Sequence, residues 1–381
     1  MRSRPGRRLG RIDPVAPVLA LVACMGLIAA CAAGEDSSLS DGRVVPTTPS
    51  ADADTTDPDA AAAERESDPA ENEGTEGEGD RGAEGENEGE NAEDAEDAED
   101  AGGALELGFG PSATGGVVTA TGVPVVHLAR TPDGDVITTP CGAIATVRGA
   151  TPITGARIVL DPGHGGPIDT GAVGANGLVE RDLNLDVAIE AAELLAERGI
   201  VAALTRTADY AVPLPVRAAF ADALGVEAMI SIHHNAPTPG ASPIPGTEVF
   251  VQQGSVASAT LGGIVLDEVV EALGTFDIAW SAAPDAGVLL VLNTDGLDAY
   301  GMIRRPATPT VLAEFGYLSN PAEAELFATD DYRAVAARAT ADAAERYLAG
   351  GPAGSALQPE PRVFDPAAAP GADVCEDPPL E

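Results

Sequence analysis

Short apolar runs alternate with longer amphipathic runs along the chain from residue 157 to residue 350. The apolar runs are typical of buried strands, and they include RIVL (157–160), IVAALTR (200–206), EAMISIHH (227–234), EVFVQ (248–252) and TPTVLAEF (308–315). The amphipathic runs are typical of helices, and they include LNLDVAIEAAELLAERG (183–199), LPVRAAFADALG (214–225) and DYRAVAARATADAAERYLAG (331–350). This alternation predicts an α/β domain over residues 156–350, with a mainly parallel sheet flanked by helices.

The residues on either side of this domain have different patterns. Residues 113–155 contain short strand-like runs and the turn sequence Pro132-Asp133-Gly134, which predict a small β appendage. His127 lies here beside valines and Leu128, so we expect a packed or half-exposed strand histidine rather than a ligand. Residues 351–381 are rich in proline and alanine and predict a tail that is either ordered by its contacts or loose.

A strongly acidic segment precedes the predicted β appendage. The chain has a formal net charge of −40, and the run ENEGTEGEGDRGAEGENEGENAEDAEDAED carries much of it. Because such a composition cannot bury enough apolar surface to offset the entropy of ordering, residues 32–112 are predicted to be a disordered, self-repelling linker. An acidic cation-binding face is the alternative, but the segment lacks the fixed spacing of an EF-hand. The negative charge also argues against a nucleic-acid partner.

The N-terminus carries the features of an export signal. Arginines precede the apolar run VAPVLALVACMGLIAAC, which is too short for a permanent transmembrane helix. Its end, Ile28-Ala29-Ala30-Cys31, resembles the bacterial lipobox, so residues 1–31 are predicted to be a lipoprotein signal peptide with Cys31 as the lipidated residue. The protein would then be exported and anchored to the outer face of the membrane. An ordinary cleaved signal with an incidental cysteine is the alternative.

Two cysteines remain once the signal peptide is set aside. Cys141 and Cys375 are an even pair in an oxidising compartment and are therefore a candidate disulfide. Two free thiols are the alternative.

Four titratable side chains lie where predicted strands end or a predicted helix begins. His164 follows RIVL, and His233 and Glu314 end later strand runs. Glu180 opens the first long helix. Two histidines and a carboxylate around an open position are a common ligand set for catalytic zinc, and a further carboxylate nearby can transfer a proton. No motif is specific alone, but their convergence on the edge of the sheet where ligands bind indicates a metal centre.

The sequence SIHHNA places two histidines side by side at the end of one strand run. Because consecutive strand residues point to opposite faces, at most one of His233 and His234 can serve a given site.

Several segments together resemble a known enzyme family. They are IVLDPGHGG, GAVGANGLVERDLNLDVA, LTRTAD, SIHHNA and VLAEFGYLSNPAE. In this order they resemble the zinc-dependent N-acetylmuramoyl-L-alanine amidases (amidase-3 type), over roughly Arg157 to Ala349. The resemblance implies one zinc ion bound by His164, Glu180 and His233, with Glu314 as the catalytic base that acts on a zinc-activated water. It also implies peptidoglycan as the substrate, cut between N-acetylmuramic acid and L-alanine.

Other functions remain open at this point. A catalytically silent or regulatory wall-binding protein on the same scaffold is one alternative, but Glu314, whose loss would leave metal binding without a proton shuttle, is present. A zinc peptidase acting on the stem peptide is the other.

The sequence departs from the family pattern at two places. The loop GGPIDTGA is one residue longer than the usual form, but it keeps His164 and Glu180 in order. His234 replaces a small or variable residue, and we expect it to line the groove on the other face of the strand rather than to bind metal or relay protons. Asn235 is expected either to contact substrate or to satisfy backbone groups at the strand end. The pair Arg304 and Arg305 would meet an anionic stem peptide or lie solvated at the surface.

Overall fold

The computed structural model describes residues 113–236, 241–281, 286–366 and 375–381. The predicted signal peptide, the lipidation site Cys31 and the predicted acidic linker therefore lie outside the described residues. The helices are α1 (Glu180–Glu197), α2 (Leu214–Leu224), α3 (Val256–Leu273), α4 (Gly301–Arg304), α5 (Pro321–Phe327) and α6 (Asp330–Leu348). Within the described part of the chain, none of them is long and apolar enough to cross a membrane.

The strands form one central sheet and smaller pairings. The strands of the N-terminal region are β1 (Gly115–Val118), β2 (Pro124–Thr131), β3 (Gly134–Thr138), β4 (Ile144–Val147) and β5 (Thr151–Pro152). The strands of the α/β domain are β6 (Ala156–Pro162), β7 (Val201–Leu204), β8 (Ala228–Asn235), β9 (Ala241–Ser242), β10 (Glu248–Val251), β11 (Trp280–Ser281), β12 (Gly287–Leu289), β13 (Val291–Leu292) and β14 (Thr310–Tyr317). The last strand, β15 (Arg362–Val363), belongs to the C-terminal segment.

The central sheet has six strands in the order β12-β10-β14-β8-β6-β7. All neighbouring pairs are parallel except β10 and β14, which are antiparallel. The prediction of a mainly parallel sheet flanked by helices is therefore confirmed. Because β10 runs antiparallel to β14, its first residue lies at the edge of the sheet where β14, β8, β6 and β7 end.

Helices cover both faces of this sheet. Helices α1, α3 and α6 cover one face, where Ile230, Ile232 and Phe315 are buried against them. Helices α2 and α4 lie over the other face, where Met229, Phe250 and Leu312 belong to a second core. Alternate residues of β8 and β14 thus enter different cores, as expected for a strand covered on both sides. Burial of each such side chain contributes on the order of 1.5–3 kcal/mol.

The N-terminal strands form a separate antiparallel sheet with the order β4-β3-β2-β1-β5. Its core includes Val125 and Ile137 and packs on Tyr210 and Val216 of the α/β domain. His127 lies on β2 with its Nδ1 atom 2.6 Å from the Thr114 hydroxyl and its Nε2 atom 3.1 Å from an Asp135 carboxylate oxygen. It is a partly buried strand histidine with two polar partners on the appendage.

The described parts of the C-terminal tail are ordered by their contacts. Strand β15 pairs in parallel with β13. Cys375 forms a disulfide with Cys141, at a Cα–Cα distance of 5.6 Å. Beyond it, Asp377 accepts a hydrogen bond from the Cys141 backbone N–H at 2.7 Å, and Glu381 accepts one from the Arg148 N–H at 2.6 Å. The chain end is therefore fixed to the β appendage.

Removal of the Cys141–Cys375 bond by double replacement with serine is expected to lower the free energy of unfolding by up to about 5 kcal/mol. The bond closes a loop with a sequence separation of 234, and long loops lose the most entropy in the unfolded chain. Denaturant unfolding measures the change, and maleimide labelling before and after reduction measures the thiols. Labelling of both cysteines in the exported protein without reductant would exclude the bond.

Candidate metal centre

Two neighbouring strands and the start of a helix bring the predicted metal ligands to one edge of the sheet. Strands β6, β8 and β14 are parallel and adjacent, so their carboxyl ends meet. His164 follows β6, His233 is near the end of β8, and Glu180 is the first residue of α1. One ligand atom from each of these residues lies within 4.8 Å of the other two. This is the one such ligand cluster found among the described residues, and it consists of the three residues that the sequence predicted.

The ring of His164 is oriented by its own loop. The residue has a positive φ of 62°, which turns the chain sharply after β6. Its Nδ1 atom is 2.6 Å from an Asp169 carboxylate oxygen, and its Nε2 atom is 3.2 Å from Glu180 Oε1. Because a carboxylate accepts hydrogen bonds, Nδ1 donates to Asp169, and Nε2 is the ring atom that faces the cluster; a bound metal ion would take the place of its proton. The loop with the extra residue therefore supplies Asp169, which sequence reasoning had not singled out.

Two buried arginines stabilise the turn that carries His164 by donating hydrogen bonds to it. Arg217 donates to Asp161 Oδ1 at 2.8 Å and to the His164 carbonyl at 2.6 Å. Arg206 donates to the Pro162 carbonyl at 2.9 Å and to the Gly163 carbonyl at 2.9 Å. These bonds fix the backbone of a turn that regular secondary structure does not stabilise.

The carboxylate of Glu180 is held by several donors and is almost fully buried. Its Oε2 atom accepts from the Ala172 N–H at 2.8 Å. Its Oε1 atom accepts from the His234 N–H at 3.1 Å and from Asn184 Nδ2 at 3.2 Å, and lies 3.1 Å from His233 Nδ1. Such a carboxylate stays in one orientation, as a metal ligand requires.

Two glycines leave room for these side chains. A Cβ atom on Gly163 would overlap the imidazole ring of His233. A Cβ atom on Gly171 would overlap the Glu180 carboxylate and the His164 ring, and the positive φ of 64° at this position also favours glycine. The glycine-rich loop is thus required sterically by the ligand cluster.

The protonation states follow from burial and from the hydrogen bonds within the cluster. Burial lowers the pKa of His164, but its bonds with Asp169 and Glu180 outweigh this effect and raise the pKa to about 10. Burial raises the pKa of Glu180, but its bonds with His164 and His233 outweigh this effect and hold the pKa well below its ordinary value. Burial lowers the pKa of His233. An anionic Glu180 and a neutral His233 are the forms that bind metal ions.

Glu314 lies beside this cluster with one oxygen atom unpaired. It is opposite His233 in the pairing of β14 with β8. Its Oε2 atom is buried and has no hydrogen-bond partner among the described residues. Burial raises its pKa well above the ordinary value, and the charges of Glu180 and Glu248 raise it further. A carboxylate with a free oxygen atom next to the ligands is suited to proton transfer.

His234 lies on the opposite face of β8 and is fully buried. Its Nδ1 atom is 2.7 Å from Asn184 Oδ1, and its Nε2 atom is 2.7 Å from the Tyr332 hydroxyl. Because the Asn184 amide nitrogen faces Glu180, the Asn184 oxygen accepts from His234, and the Tyr332 hydroxyl donates to the ring. Burial lowers the pKa of His234 to about 3, so the ring is neutral. The interpretation that His234 lines a groove is wrong, because α1 and α6 cover this face.

Asn235 and Glu248 complete the edge of the site. Asn235 donates to Glu248 Oε2 at 2.7 Å and accepts from the Ala236 N–H at 2.7 Å, so its contacts are within the protein. Glu248, which sequence reasoning missed, is also bonded to the Tyr317 hydroxyl at 3.0 Å and forms an ion pair with Arg362. Arg304 is exposed and donates to the Asp298 carbonyl at 2.5 Å.

Comparison with known proteins places the chain in a family. Residues 158–346 match the family described as N-acetylmuramoyl-L-alanine amidase. The chain is 32% identical over 213 residues to the uncharacterised protein YqiI of Bacillus subtilis (strain 168), covering 54% of this chain and 94% of YqiI. It is 30% identical over 225 residues to the N-acetylmuramoyl-L-alanine amidase AmiA of Escherichia coli (strain K12), covering 50% of this chain and 75% of AmiA.

One solved structure is also similar to part of this chain. The catalytic domain of CwlV, an N-acetylmuramoyl-L-alanine amidase from Bacillus (Paenibacillus) polymyxa var. colistinus, is 29% identical with a TM-score of 0.43, covering 50% of this chain and 97% of that chain. The region matched to the family contains His164, Glu180, His233 and Glu314. The chain therefore belongs to the N-acetylmuramoyl-L-alanine amidase family.

Proposed function

We propose that this protein is a zinc-dependent cell-wall hydrolase that cleaves the amide bond between N-acetylmuramic acid and L-alanine of peptidoglycan. The observation that carries the proposal is the cluster of His164, Glu180 and His233 beside the unpaired carboxylate oxygen of Glu314. Relatives whose names state this activity, such as AmiA, support the choice of substrate.

The residues of the cluster fit a zinc ion. Two imidazoles and a carboxylate are a common zinc ligand set, and the partners of His164 and Glu180 hold them in place. When bound, zinc supplies Lewis-acid polarisation of the amide carbonyl and lowers the pKa of water.

Glu314 performs the proton transfers in this proposal. Its carboxylate accepts a proton from the attacking water while the water oxygen bonds to the lactyl carbonyl carbon. It then delivers that proton to the amide nitrogen as the C–N bond breaks, so the leaving group is the amine of L-alanine. The products are the muramic acid carboxylate and a stem peptide with a free amino terminus. Glu314 thus moves one proton from the water oxygen to the amide nitrogen.

Mass spectrometry of purified muropeptides after incubation with the zinc-loaded protein tests the proposal. The expected products are the intact disaccharide and the complete stem peptide beginning with L-alanine. Cleavage within the stem peptide would instead identify a zinc peptidase. Stoichiometric zinc without cleavage of any bond would identify a catalytically silent wall-binding protein.

The location of the protein is also part of the proposal. We propose that the chain is exported, that Cys31 is lipidated, and that residues 32–112 connect the anchor to the domain; these residues lie outside the described part of the chain. About 80 residues separate Cys31 from β1, and a flexible chain of that length spans roughly 50 Å. A linker of that reach would suit a membrane-anchored enzyme that acts on the wall.

Deletion of residues 40–105 is expected to leave the kinetics of the soluble, unanchored enzyme on muropeptides unchanged. The same deletion in the anchored form is expected to weaken wall cleavage, because the shortened chain no longer reaches the substrate. Release of soluble wall fragments from cells that carry each form measures the second effect. Faster turnover by the truncated soluble enzyme would show that the segment is inhibitory rather than a spacer.

A further inference from the structure

The C-terminal segment lies outside the region matched to the family, which ends at residue 346, yet part of it is bound next to the site. Arg362 donates its backbone N–H to the Leu290 carbonyl at 2.9 Å, and Phe364 donates to the Leu292 carbonyl at 2.9 Å. Farther upstream, Gln358 donates to the Val288 carbonyl at 2.8 Å. These bonds add the segment to β12 and β13 in a fixed register.

This register places the guanidinium group of Arg362 against Glu248. The two side chains form an ion pair through Arg362 Nη2 and Glu248 Oε1, and the Glu248 side chain is 1% exposed. The guanidinium carbon also lies 5.8 Å from the centre of the Phe250 ring. The other oxygen of Glu248 accepts from Asn235 and Tyr317, which are neutral donors. The positive charge at Glu248 thus comes from the C-terminal segment.

Glu248 in turn lies directly opposite Glu314. The two residues are Cα partners in the antiparallel pairing of β10 with β14. Side chains of such partners lie on the same face of a sheet, and like charges in this arrangement are unfavourable. Glu248 is buried and so is the Oε2 atom of Glu314, and an uncompensated charge in such surroundings is unfavourable. A cation at Glu248 reduces the repulsion between the Glu248 and Glu314 carboxylates.

We propose that Arg362 is a positioning residue of the active site, which holds and neutralises Glu248 so that Glu314 can act opposite it. The proposal rests on the proposed role of Glu314 as the general base. If Arg362 has this role, the C-terminal segment contributes to catalysis, although the family match does not include it. The contacts that fix the segment support this role: Asp365 accepts from the Thr294 N–H at 3.0 Å, and Phe364 lies against Tyr300 with ring centroids 6.0 Å apart.

Replacement of Arg362 by methionine tests the inference in the full-length exported chain. Since Met keeps much of the side-chain volume without the charge, kcat on a defined muropeptide is expected to fall by about 10- to 100-fold, with KM little changed. Arg362→Lys keeps a cation and should retain most of the activity. Arg198→Met is the matched control, because Arg198 pairs with Asp342 and Glu345 on the surface of α1 and α6. This control should have the kcat of the wild type.

Charge compensation separates this role from a general structural one. Glu248→Gln, introduced into the Arg362→Met background, removes the uncompensated anion, so the double variant is expected to regain at least tenfold in kcat over Arg362→Met. The unfolding midpoint should recover in parallel, and this comparison applies even where Arg362→Met folds poorly. The inference would be overturned if Arg362→Met had the kcat of the wild type. It would also be overturned if the double variant improved neither kcat nor the unfolding midpoint over Arg362→Met.

These outcomes are distinct from failure of the proposed function. If the wild type cleaves muropeptides and Arg362→Met matches it, the inference fails and the proposed function stands. If the wild type cleaves no bond, the proposed function fails, and with it the catalytic role of Arg362.

Discussion

Replacement of Glu314 by glutamine is expected to leave the fold and the zinc content unchanged and to lower the turnover of muropeptides by about 10²- to 10⁴-fold. Glutamine has nearly the same shape as glutamate, but its amide does not accept a proton from water. The Oε2 atom of Glu314 has no hydrogen-bond partner among the described residues, so the replacement breaks no bond at that atom. Burial already disfavours the charged form, so a neutral side chain is tolerated. The loss is therefore expected in the chemical step rather than in stability.

The experiment compares kcat, zinc per chain and the unfolding midpoint for Glu314→Gln and for a matched control. Glu323→Gln is that control, because Glu323 is also a buried glutamate but accepts from the Tyr317 N–H at 2.6 Å and from the Ser281 N–H. It should lower the unfolding midpoint while the folded protein keeps its turnover. If Glu314→Gln retains more than a few per cent of wild-type turnover, Glu314 is not the general base.

Periodicity was sufficient to predict the elements that carry the ligands. The run RIVL corresponds to β6, and EAMISIHH corresponds to β8. Because parallel strands place their carboxyl ends at one edge, residues that follow different strands were expected to meet there. His164 and His233 do so, with ring centroids 4.8 Å apart. This inference needed only local patterns and the general geometry of α/β sheets.

The parts of the site that depend on strand direction and on distant pairing were not predictable in this way. The run EVFVQ reads as a strand, but nothing in it states that β10 runs antiparallel to β14. If β10 were parallel to β14, Glu248 at the start of β10 would lie far from Glu314 and the metal ligands. The ion pair with Arg362 joins residues 114 positions apart, through a tail whose composition suggests little structure.

The environment of His234 shows the same limit. Alternation along β8 predicted that His233 and His234 face opposite ways, and they do. It did not predict what covers the second face, because Asn184 and Tyr332 are 50 and 98 positions away from His234 in sequence. Which helices pack on a sheet face is decided by tertiary structure, so a groove and a buried core were not distinguishable.

Separate replacement of the two histidines by alanine is expected to give opposite results in metal content. His233→Ala should lose zinc, because it removes one of three ligands from the cluster. His234→Ala should keep one zinc per chain at saturating metal but lower the free energy of unfolding by about 2–4 kcal/mol, because it leaves buried groups of Asn184 and Tyr332 unpaired. Because Asn184 also donates to Glu180, zinc affinity is expected to weaken by about tenfold, far less than in His233→Ala. Metal analysis after dialysis, with a competing chelator for the affinity, measures both effects. Equal zinc loss in the two variants, or loss only in His234→Ala, would show that the ligand has been assigned to the wrong histidine.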